Sequence, residues 1–438
     1  MDWEKAYKEK LMSAEDAVKT VIHEGDDVYC AGGNAPGHLI NTMFDTMRSG
    51  MLKGVTLHGN NILSRLNIND PGLTPEMVRY HSFFHGPQER ANLGKNIVTF
   101  VPLQFSYFGR YLREVMKPTV GLLTVSPPDE NGNFNIGPIQ PGLGAIIVEE
   151  CERIIVQVNK KQPRVYGIGV DVPMDRVAAI VEQDEDLPTY PMLESSDIDK
   201  AIANHILELV PDGACIQLGL GGMANAVGYG LESKKDLGMH TEMLTESMSY
   251  LIEKGIINNS RKNFMPDKML AGFTLGDQKQ YEYVRENPKL CFASMEITNS
   301  VKNIAQNDNM ISINTALAVD LTGQICSESV GTRQFSGTGG QVDFIRGALA
   351  SKNGKSFIAI SSTYNSKEGP KSRISTTLAP GSAVTDLRAE IQYVVTEYGC
   401  VNLFGCDLPT RAKKLISIAH PDFREQLTFE AKKSGLLY

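Results

Sequence analysis

Apolar residues recur along positions 14–33 first with the spacing of a helix and then with that of a strand. Ala14, Ala17, Val18, Val21 and Ile22 fall on one helical face. Ser13 stands where an N-cap belongs, and Asp16 three residues on supplies the acid of a capping box. Glu24-Gly25 turns the chain, Val28 and Cys30 mark a short strand, and Gly32-Gly33 follows. The same succession returns 188 positions later. Ile202, His205, Ile206, Leu209 and Val210 continue a stripe that begins at Ile198 and Ala201. Asp212-Gly213 turns the chain, Ile216 and Leu218 mark the strand, and Gly219, Gly221 and Gly222 follow. The register holds without a gap over twenty positions. It predicts two α/β domains of similar topology in tandem, with chance likeness of two helix–turn–strand units as the alternative.

Short β-branched runs alternate with helical patterns in both halves: Val120–Val125 and Ile154–Val158, then Met310–Ile313 and Ser356–Ile360. Strands buried on both faces read this way, so parallel or mixed sheets flanked by helices are expected. A polar, proline-containing stretch with Glu182, Asp184, Glu185, Asp186, Pro188 and Pro191 places the boundary near 185–196. The expected domains are 1–190 and 191–438, and the chain from about 407 reads as helix.

Composition narrows the classes. Of 438 residues, 42% are hydrophobic and 21% charged, which suits globular domains with buried cores and excludes a disordered or fibrous chain. Acidic residues outnumber basic ones by 51 to 43, so no overall field attracts nucleic acid or an anionic membrane. Seven scattered cysteines form no CxxC pair, and the eight histidines include no HExxH pair. A reduced, cytoplasmic chain without structural zinc is expected. The charged start MDWEKAYKEK is no signal peptide, and no apolar run approaches the ~18 residues of a membrane span.

Several stretches can carry chemistry. QLGLGGMANAVG, Gln217 to Gly228, joins a strand to a helix through glycines, which lets backbone approach a ligand and leaves N–H groups for an anion. It also contains G-x-G-x-x-A, a relaxed dinucleotide fingerprint, with Glu242 lying 23 positions beyond Gly219; a purely structural strand–helix turn is the alternative. The residues before Glu242 (Asp236, Leu237, Gly238, Met239, His240, Thr241) form a poor strand core, and a solvated glutamate is the plain reading of HTEM. FSGTGGQVDF, Phe335 to Phe344, packs Gly337, Gly339 and Gly340 into four positions. Such a loop concentrates backbone donors, as an oxyanion hole or phosphate nest requires; a tight turn is the alternative. SPPDENGNFNIG, Ser126 to Gly137, reads as a rigid hairpin or loop after a buried strand. VVTEYG, Val394 to Gly399, ends an apolar strand on Glu397, where open α/β sheets place ligands; a surface glutamate is the alternative.

In this order, and with the opening MDWEKAYKEK…SAEDAV and the late ISIAHPDF, these stretches resemble the acetyl-CoA hydrolase/transferase family, the CoA-transferases that work through a glutamyl-CoA thioester. The resemblance spans essentially the whole chain. It implies the CoA-transferase fold, two tandem open α/β domains with the active site between them and the Ser126–Gly137 loop as one wall. It implies Glu242 as the covalent CoA carrier. For CoA binding it implies Gly219, Leu220, Gly221, Gly222, Met223, Leu317 and Gly340. Asn365 stands where butyryl-CoA transferases place a lysine on CoA, a departure that leaves either Lys367 as a substitute or a weaker grip on CoA at that point. Asn299 and Glu397 match active-site positions, and Gly337, Gly339 and Gly340 are expected to supply oxyanion donors.

The expected reaction is short-chain acyl-CoA:acetate CoA transfer, butyryl-CoA and acetate giving butyrate and acetyl-CoA. CoA and its acyl thioesters enter as substrates; no permanently bound cofactor or metal is implied, and a homo-oligomer is. The rivals are transfer to 4-hydroxybutyrate or another short-chain acid, an acyl-CoA hydrolase, an NAD-dependent dehydrogenase using Gly219–Ala224, and a non-catalytic CoA-binding regulator.

Overall fold

The computed structural model describes residues 2–190 and 194–438. Pro191, one of the linker residues named above, lies outside the described residues. The chain divides into two compact units, Met1–Tyr190 with Leu270–Thr298, and Pro191–Met269 with Asn299–Tyr438.

In the first unit seven strands form one sheet: β1 (Asp27–Cys30), β2 (Val55–Gly59), β3 (Val78–Ser82), β4 (Val98–Phe100), β5 (Val120–Val125), β6 (Arg153–Val158) and β7 (Val177–Glu182). Their order is β4-β3-β2-β1-β5-β6-β7, and every neighbouring pair is parallel. The chain runs out to one edge, returns beside β1 and fills the other side. Helix α1 (Ala14–Val21) turns Ala14, Ala17, Val18 and Val21 into the core, as its spacing requires. Ser13 Oγ accepts from Asp16 N at 3.1 Å and donates to the Asp16 carboxylate at 2.7 Å.

The second unit repeats the plan. Six strands of its main sheet are β8 (Cys215–Leu218), β9 (Gly238–Leu244), β10 (Met310–Thr315), β11 (Lys355–Ala359), β12 (Tyr393–Thr396) and β13 (Gly399–Asn402). They run in the order β9-β8-β10-β11-β12-β13, parallel except for the last pair. The offset of 188 carries β1 onto β8 residue for residue. The order β2-β1-β5-β6-β7 recurs as β9-β8-β10-β11-β12. Helix α2 (Asp197–Leu207) starts on a Ser196/Asp199 capping box and buries Ile202, Ala203 and Ile206. Ile198, in its first turn, stays 43% exposed, so the apolar stripe begins one turn later than its pattern suggests. Phe357 of β11 is fully buried and stacks on Tyr393 of β12, with ring centroids 4.9 Å apart. That contact fixes β12, whose end carries Glu397.

Residues Leu270–Thr298, which the boundary read from sequence assigns to the C-terminal domain, pack with the first unit. The hydrogen bonds show why. Phe292 N donates to Tyr166 O and Ile168 N to Phe292 O, extending the chain edge to edge, and Tyr281 Oη donates to Pro188 O at 2.5 Å. Arg113 forms ion pairs with both Glu150 and Glu296. None of these partners is near in sequence, so no local pattern announces them.

Candidate active site

Glu242 sits in β9, and β9 is a buried strand despite its polar residues. This corrects the expectation of a poor strand core and a solvated glutamate. Each polar group finds a partner. Met239 N donates to Asn259 Oδ1, the Thr241 hydroxyl to Met243 O, and Asn307 Nδ2 meets His240 Nδ1 at 3.0 Å. The His240 ring lies parallel to Phe264 and edge-on to Phe344. Alternate residues of a strand share a face, so Glu242 lies on the face of His240. Phe344 belongs to helix α4 (Gln341–Ala350), whose N-cap is Gly340. The helix start is therefore delivered to the glutamate.

There Asn299, fully buried, donates its Nδ2 to Glu242 Oε2 at 2.6 Å. The Gly340 N–H donates to the same carboxylate. A Cβ at position 340 would collide with Glu242 Oε2 and Asn299 Nδ2. Gly340 has φ −103°, so it is glycine because of this close approach rather than because of its backbone conformation. Gly339, at φ +62°, is the residue that needs left-handed freedom. Burial pushes the Glu242 carboxyl up to about 7, and the nearby Asp343 carboxylate acts in the same direction; Asn299 and the Gly340 N–H pull it down. The positive end of the α4 dipole also favours the ionised form. A carboxyl poised in this way is part ionised at neutral pH and keeps more nucleophilic character than one held far below its ordinary range.

The structure thus brings Glu242, Asn299 and Gly340 together, with Gly337 and Gly339 buried in the loop that leads to Gly340. The loop at 219–223 follows β8. Gly219 N donates to Ile313 O at 2.9 Å, Leu220 is 40% exposed, and Gly221 caps helix α3 (Gly222–Gly230) at φ +106° with open space where a Cβ would stand. The Met223 side chain is buried.

The remaining expected site residues lie on other segments of the second unit. Glu397 follows β12 and is gripped at both oxygens by Ser362, from its N at 2.9 Å and its Oγ at 2.5 Å. Arg373 donates to Leu317 O at 2.9 Å and to Ser361 Oγ at 3.2 Å, and its guanidinium lies 5.2 Å from the Tyr364 ring centroid. Asn365 is exposed on the hairpin of Thr363–Ser366 and Gly369–Ser372, with Lys367 exposed at its turn. Neither Ser362 nor Arg373 is marked by any motif; both act through partners far away in sequence. In the first unit, the Ser126–Gly137 loop is braced by Asp129, which accepts from Asn131 N and Asn133 N at 2.9 Å and pairs with Arg164. Among the described residues no helix is long and apolar enough to cross a membrane.

Comparison with known proteins gives a consistent result. Residues 1–191 match the acetyl-CoA hydrolase/transferase N-terminal domain, and residues 276–431 match the acetyl-CoA hydrolase/transferase C-terminal domain. The chain is 38% identical to a butyryl-CoA:acetate CoA-transferase of Anaerostipes caccae, covering 100% of this chain and 99% of the relative. It is 37% identical to a 4-hydroxybutyrate coenzyme A transferase of Clostridium kluyveri, covering 99% and 100%. The crystal structure of RipA from Yersinia pestis superposes with a TM-score of 0.92 at 34% identity, covering 100% of both chains.

Proposed function

The chain belongs to the acetyl-CoA hydrolase/transferase family and is a CoA-transferase; from that premise we propose that it moves CoA from a short-chain acyl-CoA, butyryl-CoA first, to acetate through a thioester on Glu242. The observation that carries this reading is the Glu242 carboxylate, with its Oε2 held by Asn299 and its ionisation poised near neutrality.

Oε1 of Glu242 attacks the thioester carbonyl, the C–S bond breaks, and CoA leaves as its thiolate from a mixed anhydride. The thiolate then attacks the glutamyl carbonyl carbon. The anhydride C–O bond breaks, butyrate departs, and glutamyl-CoA remains. Acetate attacks that thioester, and the returning thiolate takes the acetyl group, restoring the carboxylate. This is covalent catalysis with ping-pong kinetics. In the second attack the negative charge collects on Oε2. That atom already faces the Asn299 amide, with the Gly340 N–H on the same carboxylate, so the donors need no rearrangement. Each such donor contributes about 3–4 kcal/mol to the transition state. Gly219–Met223, Leu317 and Asn365 are the proposed CoA contacts, Met223 through its backbone.

The 4-hydroxybutyrate coenzyme A transferase relative supports a hydroxylated acid as the second reading; one methylene changes binding by only ~1–3 kcal/mol, so the pocket discriminates weakly among short acids. The test is product analysis with butyryl-CoA and isotope-labelled acetate. Labelled acetyl-CoA and free butyrate support the proposal. Free CoA without acetyl-CoA identifies a hydrolase instead.

A further inference from the structure

The loop that delivers Gly340 contains three glycines in four positions, and glycine-rich backbone is entropically costly to hold in one conformation. Something must hold it. Glu328, only 6% exposed, receives five hydrogen bonds. Its carbonyl accepts from Phe335 N at 2.7 Å and Ser336 N at 3.1 Å. Its Oε2 accepts from Gln334 Nε2 at 3.1 Å and from the Thr338 hydroxyl at 3.3 Å, and its Oε1 from the Thr385 hydroxyl at 3.0 Å. Thr338 lies between Gly337 and Gly339, so this carboxylate reaches the middle of the loop.

The far end of the loop is held in the same way. Gln341, the first residue of α4, donates its Nε2 to Ser327 Oγ at 2.8 Å and to Asp386 Oδ2 at 2.5 Å. Asp386 is fully buried. Thr385 N donates to Ile325 O, and Thr385 Oγ1 accepts from Ser327 N, so the two carboxylates stand on two paired segments that form one cradle. Burying two carboxylates side by side is expensive. Burial pushes Asp386 up to about 7, with Glu390 and Glu328 acting in the same direction and Gln341 and Arg346 in the opposite one. A core built only for stability would use apolar residues here.

We propose that Glu328, with Asp386, is a positioning residue: it holds the 335–341 loop so that the Gly340 N–H meets the Glu242 carboxylate. The inference rests on the reading of Glu242 as the reacting group. It acts through Gly340, since neither carboxylate touches Glu242.

The experiment compares Thr338→Val, Thr338→Ser, Glu328→Ala, Glu328→Gln and the double variant Thr338→Val/Glu328→Ala, by steady-state kinetics and by hydrogen exchange with mass spectrometry. Thr338→Val removes the loop hydroxyl without emptying the core, which guards against a Glu328→Ala protein that fails to fold. Misplacing a catalytic group by about 1 Å costs on the order of a hundredfold, so kcat should fall about tenfold to a hundredfold in Thr338→Val and Glu328→Ala, with KM for acyl-CoA nearly unchanged. The double variant should be no slower than Glu328→Ala, because the two side chains share one interaction. Thr338→Ser and Glu328→Gln retain the hydroxyl and an acceptor oxygen, and should restore most of kcat. Additive losses, or wild-type kcat accompanied only by a lower melting temperature, would overturn the inference. If the wild type itself transfers no CoA, the proposed function fails and the exchange data decide alone. Faster exchange confined to peptides covering 335–344 supports the clamp; uniform exchange across the second unit rejects it.

Discussion

Replacing Asn299 by alanine should move the pH dependence of the enzyme in a known direction. Asn299 is fully buried and its amide lies 2.6 Å from Glu242 Oε2. A hydrogen bond to an ionised group contributes about 1.5–3 kcal/mol. At about 1.4 kcal/mol for each pH unit, its loss should raise the Glu242 carboxyl by about one to two pH units. The Gly340 N–H remains on the carboxylate, which favours the lower end of that range. As the proposed nucleophile Glu242 must be ionised, so activity should rise with pH through its pKa. For the wild type the acid limb of kcat/KM should be centred on about 7, and for Asn299→Ala on about 8 to 9. The plateau should also fall, by about a hundredfold, because Oε2 loses a donor in the transition state. The assay is kcat/KM for butyryl-CoA with saturating acetate across that range. A limb that stays at its wild-type position while only the plateau drops would refute the argument that this bond sets the ionisation of Glu242.

Three further outcomes follow from the same geometry. Gly340→Ala places a Cβ against Glu242 Oε2 and Asn299 Nδ2; kcat should fall about a hundredfold with an unchanged far-ultraviolet circular dichroism spectrum, since only the reacting group is displaced. Glu242→Gln should gain stability over the wild type as pH rises. The raised carboxyl stabilises the fold fully below about 4.5 and loses that contribution as pH passes about 7, so urea denaturation should favour the variant by up to about 3 kcal/mol more at alkaline pH than at mildly acidic pH; a pH-independent difference would count against the raised pKa. Ser362→Ala removes the hydroxyl that holds Glu397 Oε1 and should cost about 1.5–3 kcal/mol of unfolding free energy by urea titration.

Sequence periodicity reported some parts of this molecule faithfully. Val120–Val125 was legible because a parallel strand buried on both faces needs an unbroken apolar run. The helix at Ala14–Val21 and the recurrence of β1 as β8 were legible for the same kind of reason, each element carrying its own pattern. β9 was not. Its HTEM residues look solvated because their partners, Asn307, Phe264 and Phe344, come from distant segments. The packing of segment 270–298 with the first unit was not legible for the same reason. Glu242 and Asn299 were singled out as site residues only through family resemblance, since each is an ordinary residue until the fold gathers them, whereas the glycine pattern around Gly340 already marked a loop of backbone donors. Glu328, Asp386, Ser362 and Arg373 escaped even that, because they act on site residues through hydrogen bonds that no spacing encodes.

The proposed covalent carriage of CoA on Glu242 can be tested directly. Its most direct test is the intact mass of the protein, mixed rapidly with acyl-CoA in the absence of an acceptor acid and then digested to locate the modification. A CoA adduct should appear on the peptide containing Glu242 and be discharged when acetate is added, with neither adduct nor turnover in Glu242→Ala. Transfer of label from acetate to acetyl-CoA by the Glu242→Ala variant, or wild-type turnover with the adduct on another residue, would contradict it.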